Sequence, residues 1–185
     1  MMILRISLLL SFGALTGCFS VDPSRMGAID IEGLSSHPQV VALEARSRID
    51  QSAGLEGGEA FVTDLAPSAE DLDASVRKAI DTSGFLAGID ENAEWTLRVV
   101  LRRAALVEGT GAEWGREAKV ICNWSLIAAG VEDPLWSDRI STNARGNSVM
   151  GDRRTADAVE GAVRLNIRGA FLALQESGVL SGGSQ

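Results

Sequence analysis

The stretch Trp95–Val107 (WTLRVVLRRAALV) decides the fold, because apolar and polar residues alternate along it. Successive side chains of a strand point to opposite faces, so this alternation predicts a strand with one buried face and one solvated face. It is the pattern of an antiparallel sheet that is covered on one side only. We expect Trp95, Leu97, Val99, Leu101 and Ala105 on the covered face, and Thr96, Arg98, Arg102 and Glu108 on the solvated face.

Further strands are predicted on both sides of this stretch. Lys119–Ala128 alternates in the same way, and the turn residues Gly130–Pro134 lead into a more polar strand over Trp136–Ala144. Upstream, Val40–Ile49 also alternates, although the preceding Ser36–Pro38 resembles a helix start. We favour a strand for this segment.

Two segments have the periodicity of amphipathic helices. The first begins at Pro67 and Ser68, carries acidic residues in its first turn and ends at Gly84. The second runs over Asp152–Ser177 and ends at Gly178. The sequence therefore predicts an α+β fold, a two-layer sandwich with two helices packed on one face of a mainly antiparallel sheet of about four strands. The predicted core-facing residues of the helices are Leu72, Val76, Ala79 and Ile80, and then Val159, Ala162, Val163, Asn166, Ile167, Ala170, Phe171 and Leu174.

The composition is that of a globular domain. The chain has 185 residues, of which 45% are hydrophobic, and this is enough to build one ordinary core. Its formal net charge of −8 argues against nucleic acid as a partner, because nucleic-acid binding needs a basic surface. The same charge argues against a basic patch that grips anionic lipids, so we expect lipid contact through an anchor.

The first eighteen residues have the features of a secretion signal. Arg5 supplies a positive charge, Ile6–Leu15 is a short apolar run, and Leu15-Thr16-Gly17-Cys18 resembles the lipobox that lipoprotein signal peptidase recognises. The apolar run is too short to span a bilayer of about 30 Å comfortably. We expect residues 1–17 to be removed and Cys18 to be acylated; an ordinary secretory signal with a chance cysteine is the alternative. No later stretch is apolar enough to predict a second anchor.

This signal divides the chain and suggests its location. We expect residues 18–37 to be the acylated cysteine and a flexible tether with a short strand at Ala28–Glu32. Residues 38–178 are predicted to form a single domain, and residues 179–185 a flexible tail. Phe19 follows the cysteine where an aspartate would resemble an inner-membrane retention signal, which favours the outer membrane. The domain would face the periplasm and be held at the cell envelope by its lipid.

Four stretches of the chain form a recognisable series: Leu72–Val76, Ser83–Leu86, Trp95–Val99 and Ala158–Ile167. Their order and pattern resemble small bacterial outer-membrane lipoproteins of the lipopolysaccharide-assembly and ABC-transporter-auxiliary type. The last stretch is the most specific, because it is similar to an A-x-E-x-A-x-R-x-N-I helix of these lipoproteins. The resemblance spans about residues 60–177, and the glycine-rich segment Gly54–Gly58 departs from it. It implies a scaffold or accessory subunit with a protein partner in the envelope, no catalytic set and no cofactor besides the lipid on Cys18.

Few residues offer the chemistry of a metal or nucleotide site. The chain has one histidine, His37, and two cysteines, Cys18 and Cys122, which is too few for most zinc sites. Cys122 lies in an apolar stretch and is expected to be buried and unreactive. Gly109–Gly111 follows a strand, but a strand rather than a helix comes next, so a hairpin loop is a better interpretation than a nucleotide-binding turn.

Two further patterns have ordinary explanations beside the catalytic ones. Ser75 and Lys78 match the S-x-x-K pattern of penicillin-binding enzymes, but the K-T-G motif of those enzymes is absent. The acidic residues of Glu70–Asp73 could attract a divalent cation, yet they also fit the start of a helix. We expect neither enzyme activity nor a bound metal.

Two surfaces are candidates for binding. The second helix carries a stripe of small residues, which fits close packing on the protein's own sheet or docking of a partner protein or a second copy. The solvated sheet face carries basic residues, which are either paired with nearby acids or bind an anionic ligand. The candidate partner face is Ala158, Gly161, Leu165, Gly169 and Leu172, and the candidate anionic-ligand face is Arg98, Arg102 and Lys119.

The expected function is that of a non-catalytic accessory or structural subunit of a cell-envelope assembly or transport system. Two alternatives stay open: a periplasmic carrier with a lipid or small ligand between helices and sheet, and a serine hydrolase. A deep apolar cavity under the helices would favour the carrier. A filled core with an exposed groove would favour the accessory subunit.

Overall fold

The structure, a computed structural model, describes residues 20–49, 59–61, 65–107, 117–149 and 151–181. The predicted signal peptide, Cys18, the Gly54–Gly58 segment and the loop at Gly109–Gly111 lie outside the described residues. The described helices are α1 (Pro23–Met26), α2 (Ala69–Ser83) and α3 (Gly151–Glu176), followed by a 3₁₀ turn at Val179–Ser181. The described strands are β1 (His37–Ser47), β2 (Glu59–Phe61), β3 (Leu86–Ile89), β4 (Trp95–Val107), β5 (Glu117–Ala128) and β6 (Trp136–Arg145).

The strands form one mixed sheet in the order β3-β1-β4-β5-β6, and the short β2 pairs with β4 beside this path. β1 runs parallel to both of its neighbours, whereas β4, β5 and β6 form an antiparallel meander. The predicted α+β class is confirmed, and so is the predicted strand at Val40–Ile49. The sheet has five strands on its main path rather than about four, because β3 has only four residues and is too short to show a period.

α2 and α3 cover one face of this sheet, as predicted. α2 begins with a capping box, in which the Ser68 hydroxyl accepts from the backbone of Asp71 and the Asp71 carboxylate accepts from the backbone of Ser68. It ends at Gly84, whose φ of 63° is the left-handed conformation that glycine adopts easily. Large side chains pack between the layers, and Phe85 stacks on Phe171 with ring centroids 4.6 Å apart. The largest side chains with almost no exposure include Trp124, Phe85, Phe171, Met26, Leu72, Ile80, Leu97, Leu101 and Leu126.

A bulge in β4 corrects the predicted pattern of faces. Leu101 pairs with Cys122 and Arg103 pairs with Ile121, so Arg102 is an extra residue in the ladder. An extra residue shifts the two-residue alternation by one position. Ala105 therefore lies on the face away from the helices, paired with Lys119, and its predicted place on the covered face is wrong.

The N-terminal segment is packed against the domain, which corrects the predicted flexible tether. Val21 and Met26 are buried, and Met26 belongs to the main core cluster. An added Cβ on Gly27 would lie 2.4 Å from the backbone oxygen of Ser75, so the segment touches α2 closely. The predicted strand at Ala28–Glu32 is also wrong, because residues 28–31 have no regular secondary structure and Glu32 begins a turn. Apolar burial, which short composition patterns do not reveal, holds the segment in place.

The end of the chain is likewise part of the domain up to Ser181. Leu180 is 2% exposed, and its carbonyl accepts a hydrogen bond of 2.6 Å from the Gln39 side chain on β1. The predicted flexible tail is therefore wrong for residues 179–181, because an apolar side chain and a hydrogen bond fix this turn to the sheet, and residues 182–185 lie outside the described residues.

Candidate functional site

A buried carboxylate joins the N-terminal segment to α3. Glu160 is 2% exposed, and its Oε1 accepts a hydrogen bond of 3.0 Å from the backbone N–H of Asp22. Its Oε2 lies 3.0 Å from Nη1 of Arg25 and 3.3 Å from Nη2 of Arg153. The same two arginines pair with Asp157, at 2.9 and 3.1 Å. We call this group of Asp22, Arg25, Arg153, Asp157 and Glu160 the N-terminal clamp.

Burial has the largest effect on the pKa of Glu160, the most buried carboxyl of the clamp. Burial raises the pKa of the Glu160 carboxyl, and the hydrogen bond from Asp22 together with the charge of Arg25 only partly opposes this effect. The nearby Asp157 and Asp22 carboxylates raise the pKa of Glu160 further. Hydrogen bonds from Ser24 lower the pKa of Asp22 itself. The clamp therefore contains one carboxyl whose ionised form is costly in the folded protein.

A groove opens beside the clamp, at the end of the sheet where β6 meets α3. Its volume is about 180 Å³. Arg145 has a side chain that is 78% exposed, and Arg164 is exposed as well. We call it the proximal groove, because it adjoins the N-terminal segment. It is lined by Arg25, Ala144, Arg145, Asn147, Asp157, Glu160, Gly161, Arg164 and Leu165.

A second groove lies at the opposite end of the sheet, and we call it the distal groove. Its volume is about 400 Å³. The neighbouring turn after β5 carries Val131 and Leu135, which are 48% and 44% exposed. This turn adjoins the groove because the backbone N–H of Ala129 donates to the carbonyl of Glu94. The groove is lined by Gln39, Val40, Asp90, Asn92, Ala93, Glu94 and Trp95.

The predicted partner face on α3 is mostly covered by the chain itself. Ala158 and Gly161 are buried, and an added Cβ on Gly161 would lie 3.0 Å from Cβ of Ala144 on β6. Gly169 faces Ile140 of the same strand, where an added Cβ would find its methyl at 3.4 Å. The glycines thus allow α3 to approach β6 closely. This is the first of the two interpretations given above, close packing of the stripe on the protein's own sheet.

Two members of that stripe have different surroundings. Leu172 is half-buried and lies near Gly33 of the N-terminal segment. Leu165 is 44% exposed and lines the proximal groove. Of the five residues of the predicted partner face, Leu165 is therefore the one that exposes a large apolar side chain. It does so at the proximal groove rather than along a helix stripe.

The predicted anionic-ligand face is not brought together. Arg98 Nε donates a hydrogen bond of 2.5 Å to Glu44, which also pairs with Arg46. Burial raises the pKa of Glu44, but the hydrogen bonds from the two arginines outweigh it and leave that pKa lowered. Arg98 on β4 pairs with Ser125 on β5. Lys119 lies on β5 six residues from Ser125, which is about 20 Å along the strand. Arg102 is displaced by the bulge, so the three residues do not share one site.

The residues with possible nucleophilic chemistry are buried. The hydroxyl of Ser75 donates to the backbone carbonyl of Asp71 in its own helix, at 2.5 Å, and Ser75 is 0% exposed. Lys78 is exposed, so the S-x-x-K spacing does not form an accessible pair. Burial raises the pKa of the Cys122 thiol to about 12, which leaves it protonated and unreactive, as expected from its apolar stretch.

A buried amide connects α3 with the sheet. Asn166 is 0% exposed, and its Oδ1 accepts a hydrogen bond of 2.9 Å from the indole N–H of Trp124. Its Nδ2 donates to the Ile140 carbonyl at 2.9 Å and to the Thr142 hydroxyl at 3.3 Å. Thr142 in turn donates to the Ala162 carbonyl at 2.7 Å. This network fixes the position of α3 over β5 and β6.

The clamp was not predicted from the sequence. Glu160 stands in the resembling stretch of α3 as a charged residue within an apolar stripe, and that position was the available signal. Its partner Arg25 is 135 residues away, and periodicity carries no information on such a contact.

Among the described residues, no three His, Cys, Asp or Glu side chains are grouped so that they could hold a metal ion. None of the described helices has the length and apolar character needed to cross a membrane.

Comparisons with known proteins show the fold. The sequence matches no protein-family model and no curated protein. A solved structure of a Xanthomonas campestris protein assigned to family DUF330 is 14% identical, with a TM-score of 0.56 over 78% of this chain and 95% of that chain. A hypothetical protein from Chlamydia trachomatis is 10% identical, with a TM-score of 0.51 over 77% of this chain and 98% of that chain. At these identities the likeness concerns the architecture alone.

Proposed function

We propose that this protein is a lipid-anchored, periplasm-facing subunit that assists a cell-envelope assembly or transport system by binding a partner protein, without catalysis. The observation that carries the proposal is a core packed with large side chains combined with an open groove at the end of the sheet opposite the N-terminal clamp. The acylation of Cys18 and the outer-membrane location are parts of the same proposal, and the lipobox-like sequence supports them.

The filled core argues against the carrier alternative. A carrier holds its ligand in a largely preformed apolar cavity. Here the layer between helices and sheet contains Trp124, Phe85 and Phe171, each at most 2% exposed. Both grooves described above lie at edges of the sandwich and carry polar or charged residues among their linings. A ligand between the layers would have to displace these core side chains.

The surroundings of Ser75 argue against the hydrolase alternative. Its hydroxyl already donates to a helix carbonyl, and the backbone of Gly27 lies against this part of α2. A serine nucleophile needs a base within hydrogen-bond reach and a path for the substrate. The buried position of Ser75 supplies neither.

The distal groove is the best candidate for the partner. Val40, Val131 and Leu135 are each more than 40% exposed, and they surround or adjoin a concave surface with polar residues in its lining. Exposed apolar side chains beside a polar rim are typical of protein–protein contacts. The distance along α3 from Glu160 to Gln175 is about 22 Å, which places this end of the domain away from the clamp.

Site-directed photo-crosslinking in cells tests the proposal. A photoreactive amino acid at the position of Val40 should form a discrete high-mass adduct that contains one envelope protein, identified by mass spectrometry. The same amino acid at Ser141, an exposed position on β6, is the matched control and should not form this adduct. Val131→Asp with Leu135→Asp should reduce the adduct, while the far-UV circular dichroism stays unchanged. Identical adducts at both positions, or none at Val40, would contradict partner binding at this groove.

Metabolic labelling with a palmitate analogue tests the anchor separately. The wild-type chain should be labelled and Cys18→Ser should not be. An unlabelled wild-type chain found free in the periplasmic extract would refute the anchored location.

A further inference from the structure

We infer that the proximal groove faces the membrane, and that Arg145 and Arg164 bind the phosphate groups of lipid headgroups there. The inference rests on the proposed acylation of Cys18. It adds to that proposal an orientation of the domain and a second, electrostatic contact with the bilayer. The groove, the clamp and two exposed apolar residues carry it.

The clamp keeps the acylated cysteine close to this groove. The backbone of Asp22 is bonded to Glu160, and Glu160 and Arg25 both line the proximal groove. Cys18 precedes Asp22 by four residues, and four fully extended residues reach about 14 Å. Its lipid therefore enters the bilayer within about 14 Å of the clamp. A long tether would let the domain move far from the bilayer, whereas this short connection keeps the groove within reach of it.

The groove has arginine side chains that are able to contact an anion. Arg25 and Arg153 form ion pairs with Asp157 and Glu160, two of the three acidic residues of the clamp. Arg145 pairs with Glu117 at 3.3 Å, but its side chain is 78% exposed, and such a surface pair is weak. Arg164 is exposed and makes no ion pair with any residue that the structure describes. A guanidinium matches a phosphate group with two parallel hydrogen bonds, so these side chains suit lipid headgroups.

The negative net charge of the chain supports the proximal groove as the surface that faces the membrane. The chain carries a formal net charge of −8, so most of its surface is repelled by an anionic bilayer. Each arginine close to such a surface adds an attraction between the domain and the anionic lipid. A tethered domain with one arginine-bearing groove next to the tether should therefore present that groove to the lipid.

Apolar side chains beside the arginines fit the same surface. Val149 is 86% exposed and stands two residues after Asn147, which lines the groove. Its loop is held in place, because Arg154 donates to the carbonyls of Ser148 and Val149 at 2.6 and 3.0 Å. Leu165, inside the groove lining, is 44% exposed. Exposed apolar residues next to basic ones are the composition of surfaces that lie in the headgroup region.

Fluorescence quenching of the acylated full-length protein in vesicles tests the orientation. The vesicles contain phosphatidylcholine and phosphatidylglycerol, with a quencher attached to a fraction of the headgroups. One variant carries a thiol-reactive fluorophore at Leu165→Cys. The matched control carries it at Ser137→Cys, an exposed position at the other end of β6, eight residues or about 26 Å from Arg145. Cys122 is buried with a thiol pKa of about 12, so it should not react with the label.

We expect strong quenching at position 165 and little at position 137. Arg145→Gln combined with Arg164→Gln should remove most of this difference, whereas Arg139→Gln, an exposed arginine further along β6, should preserve it. Equal quenching at the two positions would overturn the inference, as would a difference that the double variant leaves intact. Mass spectrometry of the same sample shows whether it is acylated. A chain without lipid refutes the proposed anchor, while an acylated chain with equal quenching refutes only the orientation.

Discussion

The buried amide of Asn166 gives the sharpest prediction about stability. Asn166→Leu keeps the branching at Cγ but enlarges the side chain, so it leaves no cavity and some overpacking adds to the loss of hydrogen bonds. The indole N–H of Trp124 loses its acceptor inside the core, and an unsatisfied buried donor costs about 1–3 kcal/mol. The Ile140 carbonyl also loses its donor. Because this carbonyl is only partly buried, leaving it unpaired should cost less free energy than leaving the indole N–H of Trp124 unpaired. We expect the free energy of unfolding to fall by about 2–4 kcal/mol.

Urea unfolding followed by far-UV circular dichroism measures this change, and a double-mutant cycle assigns it. Trp124→Phe removes the donor, so Asn166→Leu should cost at least about 1 kcal/mol less in that background. Ser75→Ala is the control, because it removes a buried hydroxyl that bonds only within α2 and should be additive with Trp124→Phe. If Asn166→Leu and Trp124→Phe are additive within about 0.5 kcal/mol, the hydrogen bond is not the source of the effect.

Two glycine variants and one change in the clamp give further predictions. Gly27→Ala should lower the stability by about 1–3 kcal/mol in urea unfolding, because its Cβ would lie 2.4 Å from a backbone oxygen of Ser75; an unchanged midpoint would mean that the N-terminal segment is not packed there. Gly169→Ala should raise the thermal midpoint, since the new methyl makes an ordinary contact of 3.4 Å and alanine favours a helix by up to about 1 kcal/mol; a lower midpoint would contradict the α3–β6 geometry. Glu160→Gln should alter the pH dependence of stability. Because burial raises the folded-state pKa of Glu160, the fold binds its proton more tightly than the unfolded chain, whose glutamates titrate at about 4.3. The wild-type protein should therefore lose stability relative to Glu160→Gln as the pH rises from about 4.3 through that raised pKa; a relative gain over this range would show that the arginines lower the pKa instead.

Local patterns predicted the elements but not their exact faces. The alternation of Trp95–Leu101 and the helical period of α2 depend on near neighbours in the sequence, and both were identified correctly. The bulge at Arg102 was missed because two adjacent arginines are followed by two alanines, which fits either register. The partner strand β5 decides between the two registers, and its pairing is a long-range contact. A period of two residues cannot reveal where one residue is left out of the ladder.

The candidate sites were less predictable than the fold. The small residues of α3 were recognised, but a stripe such as Gly161 and Gly169 looks the same whether it packs on its own sheet or on a partner. The packing of Val21 and Met26 was missed because isolated apolar residues between Pro, Ser and Gly give no periodic signal. The proximity of Arg25 to Glu160 depends on that packing. It could therefore not be predicted before the course of the N-terminal segment was known.

The chemistry of the clamp suggests that positioning, more than stability, is its contribution. Burying ion pairs costs desolvation that their attraction often fails to recover, so a buried cluster is weak support for stability. An apolar contact of Val21 and Met26 would have been enough to hold the segment loosely. The hydrogen bond from the Asp22 backbone to Glu160 adds a specific register, because a shift of one residue would leave a carboxylate buried without its donor. If Cys18 is acylated as proposed, that register fixes the point from which the lipid-bearing end leaves the domain. Under the same proposal, the register sets which end of the sandwich lies at the bilayer, and the distal groove, about 22 Å further along α3, faces the proposed partner.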